Sequence, residues 1–451
     1  MENVLLLSRI QFAANISFHI LFPAITIALG WFLLFFKIRF QLSRDQKWIN
    51  LYFFWTKIFA LCFAMGVVSG ITMSFQFGTN WPGFMNTVGN IAGPLLGYEV
   101  LTAFFLEATF LGIMLFGFSK VKPWLHTTAT ALVAIGTTLS AFWILVLNSW
   151  MHTPSGYEII NGEAFVTNWL EVIFNPSMPY RFTHKLFASF LTASFLIAGI
   201  SAFRILKLKK EDSAIIGLKF GISVAALVIP IQILVGDMHG LNTLEHQPQK
   251  IAAMEGNWDT QPGIPLILFA LPNEEKRRND FEISVPKISS LILTHDLDGE
   301  VKGLNDFIGE HPPVGPVFWG FRIMVGMGLL MLLVSWTAAY FIFRKKQIPN
   351  VLKKILIGMT FSGWIATLAG WYTTEIGRQP YLVSGILKVE DAVTNTPAAH
   401  IGFSLIGYLI IYSILLFAFI TTIFYLAGKE NTGLNTAIDP KTGQRRNLVA
   451  S

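Results

Sequence analysis

Long apolar runs alternate with short polar segments along almost the whole chain. A membrane-spanning helix needs about 20 mostly apolar residues, and nine runs reach that length: 12–36, 51–75, 94–118, 127–150, 182–203, 214–235, 317–343, 352–372 and 401–426. The pattern therefore predicts an all-α integral membrane protein, a bundle of nine transmembrane helices. The first run is too long for a signal peptide and has only Arg9 ahead of it, so we expect it to be retained.

One long polar segment, residues 237–315, separates the sixth run from the seventh. Connections of this length are usually functional or disordered. The pattern divides the chain into helices 1–6 (1–236), this loop (237–315), helices 7–9 (316–427) and a polar tail (428–451).

The composition leaves little room for another class of protein. Hydrophobic residues make up 53% of the chain, charged residues only 13%, and the mean hydropathy is +0.55. Soluble domains carry roughly 25% charged residues, so a soluble or disordered chain is excluded. The single cysteine, Cys62, excludes an intrachain disulfide and a cysteine-held metal cluster.

The net charge of +6 reflects membrane orientation rather than nucleic-acid binding. Nineteen basic residues follow the odd-numbered runs: Lys37, Arg39, Arg44, Lys47, Lys120, Lys122, Arg204, Lys207, Lys209, Lys210, Arg344, Lys345, Lys346, Lys353, Lys354, Lys429, Lys441, Arg445 and Arg446. The short connections after even-numbered runs contain only Arg181, Arg378 and Lys388. Because positive residues stay in the cytoplasm, we predict an outside N-terminus, an extracytoplasmic long loop and a cytoplasmic C-terminus.

Ionisable residues inside a membrane are costly and mark candidate functional sites. In or beside the predicted spans they are His19, Lys57, Glu99, Glu107, His184, Lys185, Lys219, Arg322 and Glu375. The predicted orientation places five possible iron ligands in the outer half of the bilayer, which suggests a cofactor layer: His19, Glu99, His184, Met324 and Glu375.

Each of these residues also has an ordinary structural interpretation. A lone histidine near a helix end is more often an interfacial hydrogen-bonding residue, and a methionine in a span is usually packing. Glu99 and Glu107 are eight residues apart, roughly 80° on an ideal helix, so they can share one face and form a proton or ion path. The residues alone thus favour a haem-containing redox protein, with an ion-coupled transporter as the alternative from a different class.

Several separated segments resemble subunit I of the cytochrome bd-type quinol oxidases, in the order of that family and over nearly the whole chain. They are 9–19 (RIQFAANISFH), 181–184 (RFTH), 236–255 ending in QKIAAME, 321–326 (FRIMVG) and 374–381 (TEIGRQPY). Tyr381 departs from the family pattern, where many members have tryptophan.

The resemblance implies three haems and their ligands. His184 and Met324 resemble the axial ligands of a low-spin haem b, a ligand pair suited to electron transfer. His19 and Glu375, with Glu99 beside them, resemble the ligands of a high-spin haem b and a haem d, or a b-type haem in variant members; which residue holds which haem stays open. Further haem contacts are expected from Arg9, Arg322, Trp371, Arg378 and Gln379, although Arg322 lies roughly 200° around the helix from Met324.

The resemblance also implies the reaction and the partners. Lys250 and Glu255, with Asp237 nearby, are similar to the quinol-binding residues of the short-loop class. Glu107, with Ser140 as a neighbour, would lead cytoplasmic protons toward Glu99 and Glu375. We therefore expect an electrogenic, non-pumping quinol:oxygen oxidoreductase of a bacterial cytoplasmic membrane that makes water from O2. A second subunit, and in some members a very small accessory subunit, would complete the enzyme.

Two closer alternatives stay open at this point. One is the cyanide-insensitive variant with haem b in place of haem d. The other is a quinone-linked cytochrome without oxidase activity, although the paired histidines spaced about 14 apart that cytochrome b of bc complexes carries are absent from this sequence.

Overall fold

The computed structural model describes residues 2–208, 212–345 and 347–429. Within them, nine helical segments are long and apolar enough to cross a membrane: Asn3–Ser43, Gln46–Thr79, Pro82–Phe116, Pro123–His152, Met178–Leu208, Asp212–His246, Val314–Lys345, Asn350–Ile376 and Ala398–Ala427. The predicted nine-helix bundle is thereby confirmed. Several residues used to predict orientation lie outside the described residues: Lys209, Lys210, Lys346, Lys441, Arg445, Arg446 and nearly all of the predicted tail 428–451.

The α-helices of the described residues are α1 (Glu2–Leu21), α2 (Pro23–Ser43), α3 (Gln46–Thr79), α4 (Pro82–Leu101), α5 (Thr109–Phe116), α6 (Pro123–His152), α7 (Trp169–Ile173), α8 (Met178–Leu208), α9 (Asp212–His246), α10 (Pro248–Glu255), α11 (Ile288–Thr294), α12 (Val314–Tyr340), α13 (Asn350–Gly358), α14 (Ser362–Ile376), α15 (Val389–Ala392) and α16 (Ala398–Ala427). A π-helical segment, Thr102–Ala108, joins α4 to α5, and a second, Phe341–Lys345, extends α12. A 3-10 turn covers Leu304–Phe307.

The strands are short, and the described ones form four antiparallel pairs. They are β1 (Tyr157–Ile160), β2 (Glu163–Val166), β3 (Gln261–Pro262), β4 (Leu266–Asn273), β5 (Arg278–Val285), β6 (Glu300–Val301), β7 (Tyr381–Val383) and β8 (Leu387–Lys388). β1 pairs with β2, β3 with β6, β4 with β5 and β7 with β8. All of them lie in connections at one end of the bundle, which we call the loop end because the long loop between α9 and α12 lies there.

The first span is broken at Phe22, between α1 and α2. Pro23 has no N–H to continue the helix but suits the first position of a new one. The indole Nε1 of Trp364 donates a hydrogen bond of 2.8 Å to the Leu21 carbonyl beside the break. The break is therefore stabilised from a neighbouring span, within a core that is rich in aromatic side chains: Phe22, Tyr52, Trp55, Phe59 and Phe419.

Several helices run past the ends that hydropathy predicts. α6 continues to His152, α9 to His246 and α14 to Ile376, so Asp237 belongs to a helix rather than the loop, and Glu375 lies in the last turn of α14. At 1.5 Å per residue, the 35 residues of α9 extend roughly 50 Å, against about 30 Å of hydrocarbon. Polar helix ends therefore project beyond the apolar layer, where hydropathy no longer detects them.

The long loop is folded against the first turns of α12. The Arg322 side chain donates hydrogen bonds to four backbone carbonyls, those of Met254, Glu255, Ile267 and Phe318. α10 ends at Gly256, whose φ of +72° suits glycine, and a Cβ there would lie 2.9 Å from the Phe318 ring. These contacts fix Glu255, the last residue of α10, against the bundle.

Candidate functional site

A cavity of about 430 Å³ lies at the loop end between α8, α9, α12 and α14, with α10 beside it. Six of the residues predicted from the sequence line it: His184, Asp237, Lys250, Glu255, Met324 and Trp371. The fold thus brings together the predicted low-spin haem ligands and the predicted quinol residues, which are separated by up to 140 positions in the chain.

Glycines give the cavity its space next to the two candidate ligands. A Cβ on Gly236 of α9 would lie 3.3 Å from the His184 ring, and a Cβ on Gly370 of α14 would lie 2.6 Å from the Met324 sulfur. Gly240, Gly328 and Gly363 line the same cavity. A large planar group can therefore approach backbone on two sides, as a porphyrin requires.

The donor atoms present fit a haem. The Nδ1 atom of His184 is buried with no hydrogen-bond partner among the described residues, and imidazole opposite thioether is an established axial pair. Three arginine nitrogens are also buried without a partner in the described protein: Nε of Arg181, and Nε and Nη1 of Arg378. Such donors suit the two carboxylates of a haem.

Glu375 is held by three side chains at the edge of this cavity. Arg378 Nη2 donates to Oε2 at 2.6 Å, and Asn148 Nδ2 donates to Oε1 at 2.9 Å. His152 Nε2 lies 3.4 Å from the same Oε1. The carboxylate is therefore ionically paired and oriented by residues of α6 and of the turn after α14.

The Lys250 side chain extends from α10 toward Glu375 and its partner His152. Its Nζ atom donates to Gln247 Oε1 at 2.7 Å and lies 3.0 Å from His152 Nδ1. Burial lowers the pKa of Lys250 well below its ordinary value, and Arg181 and Arg378 lower it further, while Glu375 opposes them. The ammonium thus stands beside two arginines and a single carboxylate.

Glu255 lies between two cavities. Ser289 Oγ donates to its Oε2 at 2.6 Å, and burial raises the pKa of Glu255, with Ser289 and Arg322 acting in the opposite direction. Besides the first cavity, Glu255 lines a second, polar cavity of about 280 Å³ within the loop, which is also lined by Asp259, Arg277, Arg278, Asn279 and Glu282. A proton on Glu255 therefore has a polar exit on the side away from the bundle.

His19 and Glu99 lie elsewhere, against α3 and α6. His19 Nδ1 is 3.0 Å from Ser69 Oγ, and a Cβ on Gly70 would lie 3.1 Å from the ring. Ser140 Oγ donates to Glu99 Oε1 at 3.3 Å. The expected single layer is thus divided by contacts: His184 and Met324 share the cavity, Glu375 joins it through Asn148, and neither His19 nor Glu99 is among its lining residues.

Glu107 packs against α6 at Gly136, one turn before Ser140. Glu107 is buried and packs on Gly136, where a Cβ would lie 3.0 Å from its Cγ, whereas Ser140 bonds Glu99 one turn further along α6. The π-helical segment Thr102–Ala108 includes Glu107, and such segments are frequent at functional sites. Both carboxylates nevertheless face α6, as the predicted shared face requires.

Two predicted haem contacts have other partners. The Arg322 guanidinium donates to backbone carbonyls, as described above, and these contacts anchor the loop. Its contact with a haem stays a prediction. Arg9 donates to Gln379 Oε1, so these two residues tie α1 to the turn after α14.

Sequence reasoning missed His152, His239 and Asn148. The His239 ring lies 5.4 Å from the His184 ring, centroid to centroid, and lines the cavity with Asn148. Both histidines lie on the helix ends that project beyond the hydrophobic layer, so the search of the spans did not include them. Extending each span by several residues before searching for ionisable groups would have found them.

Comparison with known proteins agrees with this geometry. The sequence profile of the family described as "Cytochrome bd terminal oxidase subunit I" matches residues 7–431. The chain is 35% identical to cytochrome bd ubiquinol oxidase subunit 1 of Bacillus subtilis (strain 168), over 95% of each chain. It is 33% identical to cytochrome bd-II ubiquinol oxidase subunit 1 of Escherichia coli (strain K12), over 93% of this chain and 95% of that one.

A solved structure has the same fold. The structure of bd oxidase from Geobacillus thermodenitrificans matches with a TM-score of 0.88 at 30% identity, over 94% of this chain and 98% of that chain. A cytochrome contains haem, and a subunit I works with a further subunit. From the profile match, the identities and the shared fold, this haem-binding membrane oxidoreductase subunit belongs to the cytochrome bd terminal oxidase subunit I family.

Proposed function

We propose that this chain oxidises a membrane quinol and reduces O2 to water with three haems, as one subunit of a two-subunit or slightly larger oxidase. The observation that carries the proposal is the loop-end cavity, in which His184 and Met324 lie beside Lys250 and Glu255. When bound, the haems carry electrons from quinol to O2 and supply the iron at which O2 is reduced.

His184 and Met324 would hold a low-spin b-type haem, because an imidazole and a thioether together suit an electron carrier. His19 and Glu375 would each hold one of the other two haems, a high-spin haem b and a haem d or its b-type substitute, with Glu99 nearby. Ser69 fixes the His19 ring through Nδ1, an arrangement typical of iron-binding histidines. Arg378 and Asn148 do the same for the Glu375 carboxylate.

Lys250 and Glu255 would bind the quinol oxygens, with Asp237 at the same cavity. An ionised Glu255 accepts a quinol proton and releases it through the polar loop cavity. The environment of Glu255 favours its protonated form, so a proton is taken up readily from a quinol hydroxyl held against it.

The protons consumed with O2 would enter from the opposite side through Glu107, Ser140 and Glu99. Both carboxylates face α6, and Glu107 lies two turns further than Glu99 along the span that leads away from the loop end. With the loop outside and the N-terminus outside, quinol protons leave outward while consumed protons come from the cytoplasm. This separation generates proton motive force across a bacterial cytoplasmic membrane without a pump.

A reduced-minus-oxidised absorption spectrum of membranes that contain the oxidase tests the proposal. We expect b-type bands, and a far-red band if the third haem is haem d. Met324→Leu should remove the low-spin b signal, because leucine has no donor atom, whereas Met327→Leu, one turn further on α12, should leave it intact. A spectrum without haem bands, or a low-spin signal that survives Met324→Leu, would contradict the proposal.

A further inference from the structure

His152 is a fully buried imidazole that none of the predicted roles includes. It is the last residue of α6, its side chain has no solvent-accessible surface, and it lies where α6 meets α10 and the end of α14. A polar ring in such a place costs free energy unless its nitrogens are hydrogen-bonded.

Both ring nitrogens of His152 have partners, and these partners come from different parts of the proposed site. On one side, Nδ1 is 3.0 Å from Lys250 Nζ and 3.2 Å from Gln247 Oε1, which accepts from the same Nζ at 2.7 Å. On the other side, Nε2 is 3.4 Å from Glu375 Oε1. The ring therefore connects the loop lysine to the carboxylate at the end of α14.

The carboxylate fixes the polarity of the ring. A carboxylate can only accept, so Nε2–H donates to Glu375 and Nδ1 of the neutral imidazole accepts from Lys250 Nζ. Gln247 Oε1, which lies 3.2 Å from the same Nδ1, accepts its proton from Lys250 Nζ instead. A neutral imidazole satisfies both contacts at once. Glutamine also has one acceptor and one donor group, whereas leucine has neither.

We propose that His152 is a positioning residue that ties the Lys250 ammonium to the Glu375 carboxylate, so that one side chain sets the geometry of the quinol site and of a haem ligand. The inference rests on the proposed function, which assigns Lys250 to quinol and Glu375 to iron. Its distinctive consequence is that part of the effect of a change at Lys250 on Glu375 is transmitted by His152, besides the direct electrostatic interaction of Lys250 with Glu375.

The test uses the purified holoenzyme with His152→Leu, His152→Gln, Lys250→Met and the double variant Lys250→Met/His152→Leu. The readouts are the absorption spectrum of the high-spin haem and the separate KM and kcat for a short-chain quinol. His152→Leu should raise KM roughly tenfold, as expected for the loss of a hydrogen bond to a charged group, and should shift the high-spin spectrum. The KM of His152→Gln should stay within about threefold of the parent KM, because glutamine keeps one donor and one acceptor.

The double variant measures the connection directly. Because Lys250 and Glu375 are also connected through the ring, we expect the spectral shift of Lys250→Met to become smaller once His152 is already leucine, a non-additive cycle. Additive effects, a His152→Leu enzyme with the parent spectrum and KM, or a glutamine variant as impaired as the leucine variant would each overturn the proposal.

Three further variants separate the possible failures. His126→Leu removes another buried imidazole, one that contacts the Met114 carbonyl at the opposite end of the bundle, and should lower stability without moving KM or spectrum. If His152→Leu does not assemble, His152→Asn, too short to reach both partners, should show the same rise in KM. Glu375→Ala gives the reference spectrum: if it leaves the high-spin haem unchanged, the ligand assignment is wrong, while the KM series still decides whether His152 positions Lys250.

Discussion

Three cations, Arg181, Lys250 and Arg378, stand around one carboxylate, Glu375, at the loop end of the bundle. Buried charges are stable only when they are paired and hydrogen-bonded, and several nitrogens of this group have no partner in the described protein. The surplus positive charge suits the carboxylates of a bound haem. At the residue scale, the site is therefore prepared for an anionic ligand before that ligand arrives.

The pH dependence of quinol oxidation should follow Glu255. Only its ionised form accepts a proton, and burial raises its pKa, so the rate should rise with pH through a range above that of an ordinary carboxyl. Glu255→Gln should remove this rise and lower the rate at all pH values, as measured by kcat/KM for quinol across pH.

Ser289→Ala tests the direction in which the pKa of Glu255 moves. The Ser289 hydroxyl stabilises the carboxylate, so its removal should move the rise further toward alkaline pH, by about one unit or less for one hydrogen bond. Ser284→Ala, an exposed serine that bonds Glu282 instead, should leave the profile unchanged. An acid shift in Ser289→Ala would contradict the assignment.

At the element scale, α12 and α14 determine whether the cavity exists. Gly370 of α14 faces the Met324 sulfur of α12, so any side chain at Gly370 competes with the position of the sulfur. α14 also holds Trp371 and Glu375, so the packing of α12 against α14 sets the proposed low-spin site and one proposed high-spin ligand together.

Gly370→Ala should therefore lose the low-spin b signal although it adds only one methyl group. Gly326→Ala on α12, where a Cβ meets nothing within 4 Å, should retain it. Difference spectra of the two variants at equal protein content give the comparison. An intact signal in Gly370→Ala would show that Met324 is not held in this position.

Arg322→Met should release the long loop from α12. The variant loses the hydrogen bonds from α12 to the Met254 and Glu255 carbonyls of α10 and the Ile267 carbonyl of β4, a loss of about 3 kcal/mol or more for a charged donor with several carbonyl partners. Trypsin should then cleave faster near Lys276 and Arg277, and KM for quinol should rise. Arg278→Met, whose ion pair with Asp280 is largely exposed, should change neither.

At the scale of the whole molecule, the proposed energy conservation depends on which side of the membrane the loop occupies. Lys120, Lys122, Arg344 and Lys345 lie at the bundle end opposite the loop, which the positive-inside rule assigns to the cytoplasm. The same assignment places the two cavities on the outer side of the membrane and makes the path through Glu107 start from the cytoplasm.

Reporter fusions test this orientation. A reporter that is active only outside the cytoplasm should be active when fused after Glu275 in the long loop and inactive when fused after Lys120. A cytoplasmic reporter should give the reverse pattern. The opposite result would reverse the proposed direction of proton release.

Much of the architecture was predictable from the sequence, because each span must satisfy its own backbone hydrogen bonds within an apolar layer. That requirement leaves a local signal of about 20 apolar residues, which gave all nine spans. The separated motifs likewise gave the family, and with it His184 and Met324. Helix ends beyond the hydrocarbon carry no such signal, which is why Asp237 was assigned to the loop and His152 was missed.

The sequence by itself thus determined the nine-helix membrane fold, the redox class and the residues that carry the family resemblance. Only the tertiary structure decided which of them meet: Lys250 and Glu375 at His152, Ser140 with Glu99, and Arg322 with the loop carbonyls. The physical reason is that the apolar signal of a span is local in the chain. The contacts of a buried polar side chain depend instead on the rotation, breaks and overhang of helices far apart in sequence.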